Sequence, residues 1–356
     1  MTSNQWAQWC HDNPVARDVI TTRGGWTNYV HRPPREPFET LTHREMDPLD
    51  EDELDDYNAA RTIWNSNLPT VKTQQLTRAF SIMDQVMASN VRDSEQQRTN
   101  IVIDAAPGLG KTTIAQRYAR QFHRGIERRH GTRTATGNLR VPAAFFSVKG
   151  ATTLKGLNQR LLNFYGHPAA KATMTSQRLE DLAVDCVASC ETRLIVIDEL
   201  HFVDFRHRNG IELSNHLKSW SNDMPVTFIY VGVNLRAKRF FDEGMAGDNI
   251  TYTQTSSRSV RCDVVPHDIS TTPGFRAWVD LLTTFETHLM LCDHHPGMLA
   301  EQANDIYRRT HGRIGSLTGL LNRACQVAIA TGAEAITPDV LDQVVLDRAA
   351  ATSLAS

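Results

Sequence analysis

The chain contains no run of about 18 apolar residues of the kind that crosses a bilayer, and no basic start followed by an apolar stretch that would mark a secretory signal. A cytoplasmic, membrane-free protein is therefore expected. Cysteine is sparse as well: six residues, at 10, 186, 190, 262, 292 and 325, without the paired spacing of a zinc finger or the density of a disulfide scaffold. Reduced thiols are expected, with Cys186 and Cys190 four apart on one helix face as core packing. Neither internal repeats nor low-complexity tracts occur, which excludes solenoids and fibrous assemblies. A net excess of charge is also missing. The formal charge of −2 over 356 residues does not by itself announce a nucleic-acid binder.

The even average hides strong segregation. Residues 45–56 (EMDPLDEDELDD) hold eight acids and no base, whereas residues 111–178 hold thirteen Lys or Arg against the single acid Glu127. A basic stretch of that kind suits a polyanionic partner. With 40% hydrophobic residues the chain has enough apolar side chain for a sizeable core.

Composition shifts divide the chain. Residues 1–53 are poor in aliphatics, hold Pro33, Pro34, Pro37 and Pro48, and run into the acidic stretch, so an irregular N-terminal extension is expected. Residues 54–272 begin with a helical collar to about residue 90, in which Ile63, Trp64, Leu68 and Val71 lead through a break at Pro69 into Leu76, Phe80, Met83 and Val86. A continuous apolar strand (IVIDAA, 101–106), a Gly-rich turn and a helix from Lys111 to about residue 124 then form a βα unit of a buried parallel sheet. Further strands are expected at 143–148, 194–197 and 226–233, with helices around 154–164, 178–190 and 210–221. From 273 to 356 the pattern is wholly helical, punctuated by Gly312 and a helix start at Thr337-Pro338. The expected fold class is α/β: an αβα sandwich with a parallel sheet, followed by an all-helical domain.

Two motifs carry chemistry. The first is APGLGKT, 106–112, between strand and helix. Successive backbone N–H groups of such a loop, aided by the positive end of the helix, wrap a triphosphate without side-chain bulk. Pro107, Gly108, Leu109, Gly110, Lys111, Thr112 and Thr113 are the nucleotide-binding candidates. Lys111 reaches the β and γ phosphates and the Thr112 hydroxyl ligates Mg²⁺. The glycine that usually opens this pattern is Ala105 here. The second motif is LIVIDELH, 194–201, an apolar strand ending in two acids. Asp198 is placed to hold Mg²⁺ opposite Thr112, and Glu199 to polarise a water for in-line attack on the γ phosphate. ATP and Mg²⁺ are the cofactors this pair of motifs calls for.

The GLGKT loop, the IDELH strand end, the strand VTFIYVGV and the late HGRIGSL helix start resemble the AAA+ ATPases, and within them the transposition regulators TniB and TnsC. YNAARTIWNSNLPTVKTQQL (57–76) looks like that family's segment ahead of the phosphate loop, and GRIGSLTGLLNRACQVAIATGAEAIT (312–337) like its lid. The resemblance spans roughly residues 54–347. It implies that Asn234, just after VGV, senses the γ phosphate, although the family's usual threonine one position earlier is Val233 here. It further implies a trans-acting arginine from a neighbouring subunit at Arg258, with Arg261 as the alternative, and a lid sensor at Arg313. TniB-like and TnsC-like proteins are ATP-dependent binders of double-stranded DNA that oligomerise as rings or filaments on a target and recruit a transposase alongside target-selection proteins. Lys149 and Lys155, flanking the loop after the second strand, are the DNA-contact candidates by resemblance, and RGIERRHGTR (124–133) is a further basic segment. Two other readings share the core: an oligomerising signalling or defence switch ATPase, and a replication-type AAA+ loader. His294 and His295, beside Pro296, are expected to be loop residues.

Overall fold

A computed structural model of the chain describes residues 4–91, 98–150, 152–205, 207–235, 238, 240 and 259–345. They fall into two compact units, one gathering the described residues of Asp18–Arg32 and Gln74–Val265, the other those of Met1–Arg17, Pro33–Thr73 and Pro266–Ser356.

The first unit is the α/β sandwich. Its strands are β1 (Asn100–Asp104), β2 (Ala143–Ser147), β3 (Leu194–Asp198), β4 (Thr227–Gly232) and β5 (Ser259–Asp263). All neighbours pair in parallel, in the spatial order β2-β3-β4-β1-β5. The three central strands read as unbroken apolar runs because both faces of the sheet are covered; every residue of β3 and β4 is buried. Parallel pairing needs crossovers. α6 (Lys111–His130), α7 (Leu154–Tyr165), α8 (Ser176–Ser189) and α9 (Arg208–Asp223) supply them, while α2 (Arg23–His31) and α5 (Gln74–Ser89) pack on the same unit. Threonine side chains cap α7 and α8 by accepting from Gly156 N and Arg178 N.

The second unit is helical: α1 (Gln5–Asp12), α3 (His43–Met46), α4 (Glu51–Asn65) and the late helices Thr272–Glu286, Ala303–Thr310, Ile314–Thr331 and Pro338–Gln343. α4 joins them through a buried pair: the Arg61 guanidinium donates to Glu334 Oε2 at 2.6 Å and lies 4.5 Å over the Tyr57 ring. Trp64 Nε1 and Asn65 Nδ2 donate to the carbonyls of His288 and Met290.

Several boundaries differ from the sequence expectation. Residues 4–46 are not an irregular extension; they carry three helices, and Trp6, Trp26 and Val30 are buried. A few indoles hold this segment where aliphatics are scarce, since one Trp buries as much apolar surface as two small aliphatics. Trp26 donates through Nε1 to His123 Nδ1 at 3.0 Å and stacks on Phe145 at 6.0 Å, which attaches α2 to α6 and β2. The collar over 54–90 divides, with α4 in the helical unit and α5 in the sandwich. The helix after Lys111 continues past 124 to His130, so most of RGIERRHGTR is helix rather than loop. Gly125 weakens a helix by only about 1 kcal/mol, and the buried Ile126 together with the half-buried Glu127, paired with His31 at 2.8 Å, carries it through to Gly131.

Candidate functional site

In a parallel sheet every strand ends on the same edge. The loops after β1, β2, β3 and β4 therefore share one rim, and β1, β4 and β3 are consecutive neighbours there. The chemistry-bearing residues lie along that rim.

After β1, Ala105 donates its N–H to Gly232 O at 3.3 Å and is buried. That is how the chain accommodates alanine where a glycine is usual: the residue is the last rung of the strand, ahead of the turn. Gly108 and Gly110 take φ values of 76° and 79°, left-handed positions open to glycine at no steric penalty, and Gly110 becomes the N-cap of α6. Leu109 pins the loop into the core while Pro107 and Gly108 stay exposed. No acidic residue sits in the first turn of α6, so its free N–H groups face the rim uncompensated. Lys111 is buried and its Nζ donates to Ala106 O at 2.8 Å. Burial holds the lysine pKa below its ordinary value, against the opposing pull of Asp198, Glu199 and Asp104. Thr113 is exposed on the same turn.

At the tip of β3, Asp198 is 3% exposed. Its Oδ2 accepts from the Thr112 hydroxyl at 2.8 Å and its Oδ1 from the Glu199 N–H at 2.7 Å. The two expected metal ligands are thus in direct contact. A hydroxyl and a carboxylate side by side are hard oxygen donors of the kind Mg²⁺ prefers, so the donor set fits the ion; Thr112 and Asp198 would hold it, and it would supply charge neutralisation of the phosphates. Glu199 adopts φ 62°, a strained left-handed conformation for a non-glycine residue. The turn brings its half-exposed carboxylate to within 3.2 Å of His201 Nε2.

His201 was not singled out as a site residue by sequence reasoning, nor was Lys238, whose Nζ donates to the His201 carbonyl oxygen. Lys238 N–H also donates to Asn234 O at 3.0 Å. Asn234, at φ 54°, stands two residues past β4, the strand between the one that leads into the phosphate loop and the one that ends in the acids. The chain after β4 therefore braces the Glu199 turn. No local motif marks such a brace, because it forms only when β3 and β4 are neighbours.

Among the described residues of the sandwich, one expected site residue does not reach this rim. Arg261 pairs with Val102 in the body of the edge strand, two rungs before the tip. Arg258 lies outside the described residues. Arg313 belongs to the helical unit, where its carbonyl starts the helix Ile314–Thr331 by accepting from Leu317 N at 2.9 Å. Lys149 is exposed just after β2, where Val148 N donates to Asp198 O at 2.9 Å, and Lys155 is half-buried in the first turn of α7.

Burial pushes the Asp198 carboxyl above its usual pKa, with Thr112 and the Glu199 amide pulling it back. A raised folded pKa means that the ionised form is disfavoured by folding: the penalty is present at neutral pH and fades as pH falls through the folded pKa toward the ordinary carboxylate range. Asp198→Asn keeps an oxygen for Glu199 N and turns its amide toward the freely rotating Thr112 hydroxyl. It is expected to raise the melting temperature of the nucleotide-free protein at pH 7, by roughly 2–4 °C per kcal/mol relieved, with the gain shrinking in acid, while Mg²⁺-dependent hydrolysis is lost. Thermal scans at pH 7 and pH 4.5 check this; a melting point lowered at pH 7 contradicts it.

Residues 92–240 match the AAA domain family. Among solved structures, the chain is similar to the Aeropyrum pernix ORC1 protein in complex with DNA, at 16% identity and a TM-score of 0.57 over 82% of this chain and 69% of that one. It is similar also to the Aeropyrum pernix ORC2 protein in ADPNP-ADP complexes, at 15% identity and 0.57 over 81% and 69%. A search of curated proteins gives no match. The parallel order, the loop on Lys111 and the acids after β3 define the class: this is the AAA+ P-loop fold, and the chain is an ATP-hydrolysing P-loop ATPase. No described helix is long and apolar enough to cross a membrane.

Proposed function

We propose that the chain is an ATP-gated binder of double-stranded DNA that oligomerises on its target and, as a regulator of transposition, recruits a transposase. The observation that carries the gate is the hydrogen bond from Val148 N to Asp198 O, 2.9 Å. It ties the segment that ends in Lys149 to the main-chain carbonyl of Asp198, whose carboxylate touches Thr112, so in this reading a shift of the β3 tip at the phosphate rim is passed along the strand pair to an exposed cation one residue away.

In this reading the loop N–H groups and Lys111 bind and orient the triphosphate. Glu199 orients the attacking water and takes its proton, Asn234 reads the γ phosphate, and arginines supplied by the neighbouring subunit at Arg258 or Arg261 and by the lid at Arg313 complete the charge stabilisation. ATP favours the assembled, DNA-bound state and hydrolysis releases it. Part of the basic excess of residues 111–178 serves the fold instead of DNA: Lys111 faces the phosphate loop, Arg120 Nε donates to Val30 O at 3.1 Å, and buried Arg140 pairs with Glu191 at 2.9 Å. Lys149 and Lys155 are left as the contacts nearest the rim.

Replacing both Lys149 and Lys155 by alanine is expected to weaken binding to a random-sequence duplex and to reduce the slope of log affinity against log salt by about 1 for each DNA phosphate that is no longer neutralised, with ATP hydrolysis off DNA unchanged. Anisotropy titrations at several salt concentrations measure it. An unchanged slope removes these two residues from the interface.

The likeness to an origin-recognition protein solved with DNA favours a second reading, a replication-type loader, which shares the fold and the duplex. The two part at the partner. An ATP-arrested assembly that stimulates strand transfer by a transposase supports the first reading; one that instead loads a helicase supports the second.

A further inference from the structure

The helical unit holds a cluster that the ATPase does not use. We propose that His43, Cys292 and Asp293 form a binding site for a zinc-class divalent cation, which clips the segment leading into α4 to the loop between the helices Thr272–Glu286 and Ala303–Thr310. Each of the three offers one ligand atom, and these atoms lie within 4.8 Å of one another. His43 Nε2 is 3.1 and 3.0 Å from the two carboxylate oxygens of Asp293. His43 and Asp293 are 250 positions apart in the sequence, so the convergence of His43 on the adjacent pair Cys292 and Asp293 is a product of the fold.

The chemistry selects the ion. One imidazole nitrogen, one sulfur and one carboxylate oxygen make a mixed borderline-soft set, suited to Zn²⁺ or Co²⁺ and poorly suited to Mg²⁺ or Ca²⁺. Bonds of about 2.0–2.3 Å at tetrahedral angles place donors some 3.3–3.7 Å apart, a spacing the cluster reaches by small side-chain rotations. The side chains of His43 and Asp293 are 52% and 53% exposed, so an ion has access from solvent and a fourth position remains for water.

The backbone around the ligands is held in place. Cys292 N donates to Glu334 Oε2 at 3.0 Å and Asp293 N to Glu334 O at 2.9 Å. Glu334 is fixed in turn by Arg61. On the other side, the Thr42–Glu45 capping box sets the start of the short helix that carries His43. Such outer hydrogen bonds orient metal ligands. An ordinary exposed His–Asp ion pair would not require a cysteine beside it. On binding, the Cys292 thiol proton, and the second imidazole proton of His43 where present, pass to solvent, and the ion takes the sulfur and Nε2 lone pairs.

The test is a cobalt titration of the full chain, tag-free, stripped with a chelator and kept reduced by a phosphine. One equivalent of Co²⁺ is expected to develop a thiolate-to-cobalt charge-transfer band with tetrahedral visible bands, both bleached by Zn²⁺. Cys292→Ser is expected to lose the charge-transfer band, His43→Ala and Asp293→Asn to weaken cobalt binding at least about tenfold, and Cys10→Ser to change nothing. Zn²⁺ is expected to raise the melting temperature of the parent and of Cys10→Ser only. No charge-transfer band at one equivalent, or an undiminished band in Cys292→Ser, overturns the site; should the serine variant fail to fold, the His43 and Asp293 variants decide by the same spectrum.

Discussion

Lys111→Ala is expected to lower ATP hydrolysis by about two to three orders of magnitude and to abolish nucleotide-dependent binding to DNA. Lys111 opens α6 directly after the left-handed Gly110, and its ammonium is already desolvated against the Ala106 carbonyl. Little reorganisation is needed for it to meet a phosphate oxygen, and preorganised charge in a dry setting is worth far more than the same charge in water. Alanine removes the cation that faces Asp198, Glu199 and Asp104, so a polyphosphate arriving at the rim meets these carboxylates with no side-chain cation to offset them. Nucleotide affinity and hydrolysis are therefore expected to fall together, measured by equilibrium binding of a fluorescent ATP analogue and by phosphate release. DNA affinity in the variant that matches the parent with ATP would break the proposed coupling between the two sites.

The second large effect belongs to Glu199→Gln. The change is isosteric, tolerates the same left-handed backbone and leaves the loop N–H groups, Lys111 and Thr112 untouched. ATP binding is expected to stay within about twofold of the parent, because the role proposed for this side chain is to hold the attacking water, an interaction that counts in the transition state. The water loses its proton acceptor, so the single-turnover rate is expected to drop by about 10²–10⁴, the usual contribution of a positioned base. If ATP holds the assembled state and hydrolysis ends it, complexes formed on DNA by this variant should persist long after a chase with ADP, where those of the parent decay. Hydrolysis at the parent rate would remove Glu199 from the role of base and transfer attention to its partner His201.

The difference between these variants and Asp198→Asn follows from where each group sits. Asp198 is buried, so its neutral replacement is expected to gain stability while losing function. Glu199 is half-exposed, so solvent already screens its charge and the stability change is expected to be small.

The central sandwich was legible because its signals are local. IVID, LIVID and TFIYVG are apolar without interruption, as strands buried on both faces must be, and the Gly-Leu-Gly-Lys-Thr turn between strand and helix has one backbone solution. The contact between Thr112 and Asp198 also followed, since each motif implies the other. What escaped was long-range. Trp6 and Trp26 anchor an N-terminal segment whose composition reads as irregular, because a single indole does the work of several aliphatics. α4 pairs Arg61 with Glu334, residues 273 apart, and nothing in the local pattern of α4 names its partner. The Lys238 brace on the Glu199 turn and the His43–Cys292–Asp293 cluster depend on which strands and loops become neighbours. Basic residues were misleading for the opposite reason: a count treats all thirteen alike, whereas Arg140 is consumed by a buried pair and Arg120 by backbone carbonyls.

The most direct test of the account is the affinity of the parent chain for a labelled random-sequence duplex with ATP, with ADP and without nucleotide, at two salt concentrations. The account predicts tight, salt-sensitive binding with ATP and weak binding in the other two states, with Lys111→Ala indistinguishable from the nucleotide-free parent. Binding that is equal in all three states, or absent from all of them, would contradict an ATP gate on DNA and leave an ATPase whose switch acts on a different partner.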